Sequence, residues 1–287
     1  MKINWYPGHM AKTLKALSAD LKTANMVIQI RDARVPLSSI NPEFERLFAG
    51  KKNILLLSKS DLADPEETKK WIQHFKKGEN SIFAMNTTDP ASVKQIKKYI
   101  LKQAEELRRE IFEKKGMRVT VRAIVAGIPN SGKSTFINAF FGKSKAKTGN
   151  KPGVTKDRQW IKDSPEFELM DTPGLLWPNL EDERVMLNLT ITNAIKNELY
   201  DAYTLACEFL KCYQNILAPG VQSRYGVDIN SISLPEEMLE EICNRKGIKK
   251  QGGINDTDRC AELLINDFRL GKLGRITLEP APVETDK

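Results

Sequence analysis

Gly127-Ile128-Pro129-Asn130-Ser131-Gly132-Lys133-Ser134 has the residue types and spacing of a phosphate cradle, G-x-x-x-x-G-K-[ST]. Its glycines let successive backbone N–H groups turn inward around phosphate oxygens. A helix starting at the end of the motif adds partial positive charge there. Lys133 would reach the β- and γ-phosphates of a nucleotide, and Ser134 would ligate Mg²⁺. Asn130, Ser131, Gly132 and Thr135 complete the phosphate-side binding set. A second motif, Asp171-Thr172-Pro173-Gly174, closes an apolar run. Asp171 stands where a Mg²⁺-side aspartate belongs. The Gly174 N–H can bind a γ-phosphate and lose that bond on hydrolysis. Between the two lies Lys151-Pro152-Gly153-Val154-Thr155, in a basic, glycine-containing segment. Thr155 there would close over the Mg²⁺ as a first switch.

These three motifs together resemble the translation-factor class of GTPases. Such an enzyme needs a base reader of the form N-K-x-D and a supporting loop. No K-x-D occurs after Gly174, but Ser58-Lys59-Ser60-Asp61 follows the apolar run Ile54–Leu57 upstream. Asp61 would accept from guanine N1–H and N2–H₂, Lys59 would pack its stem on the ring, and Ser60 completes the loop. Asn86 and Thr87, after Ser81–Met85, would supply the supporting loop. The order is then base reader, supporting loop, phosphate loop, first switch, second switch. That is a circular permutation of the usual GTPase.

In that order the chain resembles the circularly permuted ribosome-assembly GTPases, the ribosome biogenesis GTPase A family. Besides the motifs above, the resemblance rests on Trp5-Tyr6-Pro7-Gly8-His9-Met10, Asp32-Ala33-Arg34-Val35-Pro36 and Asp171–Pro178, and it covers nearly the whole chain. It implies slow GTP hydrolysis stimulated by the ribosome. It also implies a role in late assembly of the large (50S) subunit, with pre-ribosomal RNA as partner. Leu175 occupies the place where Ras-like enzymes carry a water-orienting glutamine, and leucine cannot orient water. The resemblance points instead to His9, the other histidine being His74. An asparagine at 130 resembles GTPases that use K⁺ beside the β/γ-phosphates, so K⁺ joins GTP/GDP and Mg²⁺ as an implied cofactor. Ser58 departs from the family's asparagine; a shorter side chain bridges fewer groups, which implies weaker guanine binding.

Such motifs require a sheet to hold them. Met26–Arg31, Asn53–Leu57, Ser81–Met85, Val121–Ala126, Glu166–Met170 and Gln159–Lys162 are short apolar runs separated by helical patterns. They predict an α/β fold: a buried parallel P-loop sheet with helices on both faces. Helices are predicted over Thr13–Leu21, Glu66–Phe75, residues 91–113 and Thr135–Phe141. The tail predicts a small all-α module, with helices over Arg184–Leu199, Thr204–Leu217, Pro235–Cys243 and Thr257–Leu270. The predicted division is a GTPase domain over 1–177 and a helical RNA- or ribosome-binding domain over 178–287.

Charge divides at the same place. The whole chain of 287 residues carries +8, yet residues 1–177 hold 32 Lys and Arg against 19 Asp and Glu, and the remainder holds 13 against 18. A basic enzyme module of +13 joined to a tail of −5 fits a polyanionic partner bound mainly by the enzyme module. No apolar run approaches the roughly 18–20 residues that span a bilayer. The first seven residues carry no apolar signal core. The four cysteines all lie in the tail, form no C-x-x-C pair and have no histidine near them, so they read as reduced thiols. A cytoplasmic monomer without membrane contact is the expectation. Two other classes stay open on sequence: a P-loop kinase or NTPase of small-molecule metabolism, and an RNA-binding assembly factor with a vestigial GTPase.

Overall fold

Apolar alternation places the strands. In the computed structural model, which describes residues 8–76, 81–142, 159–178, 180–195 and 200–282, and only the backbone at 8–11, 45 and 159, six strands form one sheet. They are β1 (Met26–Asp32), β2 (Lys52–Ser58), β3 (Ser81–Met85), β4 (Val121–Gly127), β5 (Gln159–Ser164) and β6 (Phe167–Asp171), in the order β3-β2-β1-β4-β6-β5. β1 is buried along its whole length, as a central strand covered on both faces must be. The sheet is mixed, whereas the sequence predicted a parallel one. β5 runs antiparallel to β6 because only Pro165 and Glu166 separate them, and so short a link permits only a hairpin.

Helices cover both faces. α4 (Pro90–Lys115) and α5 (Lys133–Phe141) pack Ile96, Ile100, Phe136 and Phe140 against Met26, Ile28, Ile30 and Leu56. On the other face α1 (Gly8–Leu21) and α2 (Pro42–Phe48) bring Leu17, Leu21, Phe44 and Phe48 to Val27, Ile124 and Ala126. Successive β1 residues thus serve opposite cores, as the two-residue period demands. α3 (Pro65–Phe75) starts at a double cap: Asp64 accepts from the Glu66 and Glu67 N–H groups, and Pro65 opens the first turn. α2 was not expected; seven residues give too little periodicity to read, although Asn41-Pro42 is a cap signal.

The tail comprises α6 (Glu183–Ile191), α7 (Ala202–Tyr225), α8 (Pro235–Lys246) and α9 (Thr257–Arg269). α7 was expected to end at Leu217. It kinks at Tyr213 and continues past Pro219, with Leu217, Ala218, Val221 and Tyr225 buried in the tail core. That burial offsets the ~3 kcal/mol a proline costs inside a helix. Cys207, Cys243 and Cys260 are buried free thiols and Cys212 is half-buried. Among the described residues no helix is long and apolar enough to cross a membrane.

The tail packs against the sheet domain at α6 and again after α9. α6 contributes Leu189 to the core beneath Leu175 and Leu176, and Leu187 and Ile191 to the tail core. After α9 the chain returns: Ile276 N donates to Leu62 O and Leu278 N to Arg34 O, at 3.0 and 2.8 Å.

Candidate nucleotide site

Strand register gathers the motifs. Asp32 pairs with Ser58, Ser58 with Met85, Ile30 with Gly127, and Val125 with Asp171. Every parallel strand therefore ends at one edge of the sheet, where ligands of open α/β folds bind. The phosphate motif links β4 to α5 there. A Cβ on Gly127 would stand 2.4 Å from Ile30 O, so only glycine lets β4 leave the sheet so close to β1.

Lys133 is the first residue of α5 and is buried, its Nζ donating to Ile128 O at 2.7 Å. Burial, helped by the nearby Lys59 charge, pulls its ammonium down to about 8, with Asp171 opposing. Ser134 Oγ donates to Asp171 Oδ2 at 2.8 Å. The other oxygen, Asp171 Oδ1, is buried without a hydrogen-bond partner. Burial raises the Asp171 carboxyl above its ordinary range, against the Ser134 bond and the Lys133 charge. An orphaned carboxylate oxygen beside a hydroxyl is a donor set that fits a small hard divalent cation such as Mg²⁺.

Gly174 lies against the phosphate loop; a Cβ there would meet the Pro129 Cα and N at 2.5 Å. Leu175 is buried under the sheet, its N–H 3.3 Å from Gly127 O, and Asn41 Nδ2 donates to its carbonyl at 3.0 Å. Its side chain is core, which excludes it from any contact with attacking water. Asn130 adopts a left-handed φ of 54° and donates from Nδ2 to Asn193 O at 2.6 Å, tying the phosphate loop to the turn after α6. Ser131 Oγ donates to Ile128 O at 2.9 Å, and Thr135 is exposed.

The Ser58–Asp61 loop, some seventy residues earlier in the chain, lies beside this cradle. Ser58 Oγ is 2.6 Å from Ser131 O and 3.0 Å from Arg31 O. One hydroxyl proton serves the shorter contact, so the serine bridges the Ser58–Asp61 and Gly127–Ser134 loops. Lys59, at φ 54°, places Nζ 2.8 Å from Asp32 Oδ2. Ser60 N donates to Met85 O at 3.3 Å, joining this loop to the one that follows β3. In that loop Asn86 Oδ1 accepts from Thr88 N and Oγ1, and Thr87 is half-buried. Asp61 is half-buried next to Ser60.

His9 falls in the first turn of α1, and its side chain lies outside the described residues, as Thr155 does entirely. His74 sits away from the site, its ring edge-on to Trp71 with centroids 5.3 Å apart.

In the sequence Asp32 and Arg34 belong to Asp32-Ala33-Arg34-Val35-Pro36, a segment that carries the family resemblance without assigning either residue a role. Asp32 Oδ1 accepts from Arg34 N and Nε, and Oδ2 from Arg34 Nη2 and Lys59 Nζ. Burial pushes that carboxyl up, but the Arg34 and Lys59 charges outweigh it and hold it well below the usual range. Arg34 is itself only 2% exposed and reaches α9, with Nη1 3.4 Å from Arg269 O and its guanidinium over the Phe268 ring. The signal available in sequence was an ionisable pair closing an apolar strand.

Comparison with known proteins places the chain in a family. A sequence profile of the 50S ribosome-binding GTPase family matches residues 122–211. Ribosome biogenesis GTPase A of Bacillus pumilus (strain SAFR-032) is 38% identical over 286 residues, spanning 97% of this chain and 99% of that protein. The chain belongs to the ribosome biogenesis GTPase A family. The Thermotoga maritima member is 29% identical over 279 residues. Two solved structures share the fold. A GDP-bound TM YlqF superposes with a TM-score of 0.66 at 25% identity, covering 92% of this chain and 98% of the other. The GNP-bound YlqF from T. maritima gives 0.64 at 26% identity, covering 94% and 98%.

Proposed function

We propose that this chain is a GTP-driven switch in late assembly of the large ribosomal subunit, binding the subunit precursor and its RNA as a cytoplasmic monomer. Family membership makes it a guanine-nucleotide-binding GTPase of ribosome biogenesis. The observation that supports the nucleotide reading is the contact of Ser58 Oγ with Ser131 O, which brings the Ser58–Asp61 loop beside the Gly127–Ser134 loop. A metabolic kinase would have no use for Asp61 beside that cradle. Intact Lys133, Ser134 and Asp171 speak against a vestigial enzyme. On this reading residues 1–177 are the GTPase domain and 178–287 the ribosome-binding one.

In the proposed mechanism, Asn130, Ser131, Gly132, Lys133 and Thr135 hold the phosphates. Ser58, Lys59, Ser60 and Asp61 read guanine, with Asn86 and Thr87 supporting that loop. Ser134, Asp171 and Thr155 would hold Mg²⁺, which when bound offsets charge on the β- and γ-phosphate oxygens. Asn130, whose Nδ2 donates to Asn193 O, would stand beside K⁺ at the β/γ-phosphates. Gly174 senses the γ-phosphate. Its neighbours Leu175 and Leu176 share a core with Leu189 and Ile195, so movement at Gly174 reaches α6 directly.

The test is GTP turnover with and without isolated large subunits, in K⁺ and in Na⁺. Stimulation of about 10³–10⁵-fold is the scale for such enzymes. Turnover unaffected by subunits would overturn the switch reading, and equal rates in the two salts would exclude K⁺. Replacing His9 with alanine is expected to lower turnover about 10²–10⁴-fold while GDP affinity stays near wild type. Undiminished turnover would remove His9 from the mechanism.

Lys133 also predicts a pH dependence. Triphosphate raises the pKa of the lysine it contacts, so binding above about pH 8 takes up a proton. GTP affinity is expected to be independent of this group below about pH 8 and to fall as pH rises beyond it. Calorimetry in buffers of different ionisation enthalpy measures the uptake; none near pH 9 would place the ammonium elsewhere.

A further inference from the structure

The segment after α9 lies along the base-reading loop. Three carbonyls, one in that loop and two just after it, receive their donors from it. Arg275 Nη2 donates to Ser60 O at 2.9 Å, Arg275 Nε to Ala63 O at 3.0 Å, and Ile276 N to Leu62 O at 3.0 Å. Asp64 N donates to Thr277 Oγ1 at 3.1 Å. The segment is anchored on both sides of these contacts. Leu273, Ile276 and Leu278 are buried, and a Cβ on Gly271 would press on Leu62 at 2.8 Å. Trp71 Nε1 donates to Glu279 O at 2.7 Å, while the Glu279 carboxylate accepts from Leu37 N at 2.7 Å and from Asn188 Nδ2 at 2.9 Å.

The Ser60 carbonyl belongs to the peptide unit that joins Ser60 to Asp61. On its other side Ser60 N is held by Met85 O, and Lys59 O accepts from Leu62 N at 2.9 Å. With these groups held, the backbone on either side of Asp61 is restrained, which limits where its Cβ, and so its carboxylate, can stand. A planar guanidinium suits the task, because two N–H groups in a fixed fork can hold two carbonyls at once. Lysine carries one point charge and can hold them less well.

We propose that Arg275 is a positioning residue for guanine recognition: by holding the Ser60 and Ala63 carbonyls it orients Asp61, and it makes the 271–281 segment of the tail part of the base site. The inference rests on the reading of Ser58–Asp61 as the base reader. It extends that reading to a residue more than two hundred positions away. By linkage, whatever lifts this segment weakens guanine binding, and guanine binding resists its lifting to the same degree.

The test compares full-length wild type, Arg275→Ala and Arg275→Lys for GDP and IDP affinity, for kcat at saturating GTP and for melting temperature. Inosine lacks the 2-amino group that an oriented carboxylate reads. Arg275 is exposed, so the variants are expected to fold. Arg275→Ala should weaken GDP about three- to tenfold, shrink the GDP:IDP preference and leave kcat unchanged, with Arg275→Lys between. An unchanged GDP:IDP preference overturns the proposal, whether or not melting shifts, because a merely structural contact would move melting alone. Asp61→Asn is run in parallel with GDP and XDP. A switch toward XDP together with an unaffected Arg275→Ala sinks only the positioning role. A retained GDP preference sinks the base reader itself.

Discussion

Lys133→Ala is expected to lose nucleotide binding and turnover while keeping, or slightly gaining, stability. Hydrogen bonds to a charged group contribute about 1.5–3 kcal/mol, so GTP affinity should fall about 10–100-fold. Removal of one preorganised charge from a phosphoryl-transfer site should lower turnover by a further factor of about 10²–10³. Stability moves the other way because the folded protein disfavours this ammonium. Its pKa falls from 10.5 to about 8 on folding, so the charge opposes folding below about pH 8, and the penalty fades as pH rises toward 10.5. The alanine variant escapes it. Titration with GDP and a thermal melt of the same sample check both halves. Retained GTP turnover would show that the cradle is not where the phosphates sit.

Asp32→Ala is expected to do the opposite, damaging the fold first. The carboxylate takes four hydrogen bonds, three from Arg34 and one from Lys59. Without it a guanidinium only 2% exposed keeps a 3.4 Å contact to Arg269 O and the face of Phe268. Breaking a buried ion pair from one side costs about 3–5 kcal/mol. For a chain of this size that lowers melting by on the order of 10 °C. A melting point within about 1 °C of wild type would refute it. The pH dependence has a definite sign. Asp32 is held below its ordinary value of 3.8 in the folded protein, so its contribution is whole above the usual carboxylate range and is lost as pH falls below it. Acid should therefore destabilise wild type more than Asp32→Ala. Guanine binding should weaken too, because Lys59 loses the partner that fixes its ammonium.

Local pattern made much of this molecule legible. The strands were readable because a buried parallel strand is an apolar run, and β1 to β4 came within one residue of expectation at each end. The phosphate loop was readable because its chemistry needs particular residues at fixed spacing. Ser58 was read as a weaker stand-in for asparagine, and it bridges to Ser131 O all the same, because the two loops approach closely enough for a short side chain. What escaped was decided by a short link in one case and by non-local packing in the other. The antiparallel β5 followed from a two-residue link, and the run of α7 past Pro219 followed from burial in the tail core.

The sequence by itself determined which motifs the chain carries: G-x-x-x-x-G-K-S at Gly127–Ser134, an aspartate at 171, the string Ser58–Asp61 proposed here to read the base, and a basic stretch joined to an acidic tail. Each is a local arrangement, and local arrangements survive without knowledge of distant contacts. The tertiary structure alone decided what holds the Ser58–Asp61 loop. Asp32 and Arg34 tie Lys59 to α9, and Arg275 ties the carbonyls around Asp61 to the far end of the chain. These contacts join residues whose spacing carries no pattern. They exist because buried charges and loop carbonyls must find partners wherever the fold brings them.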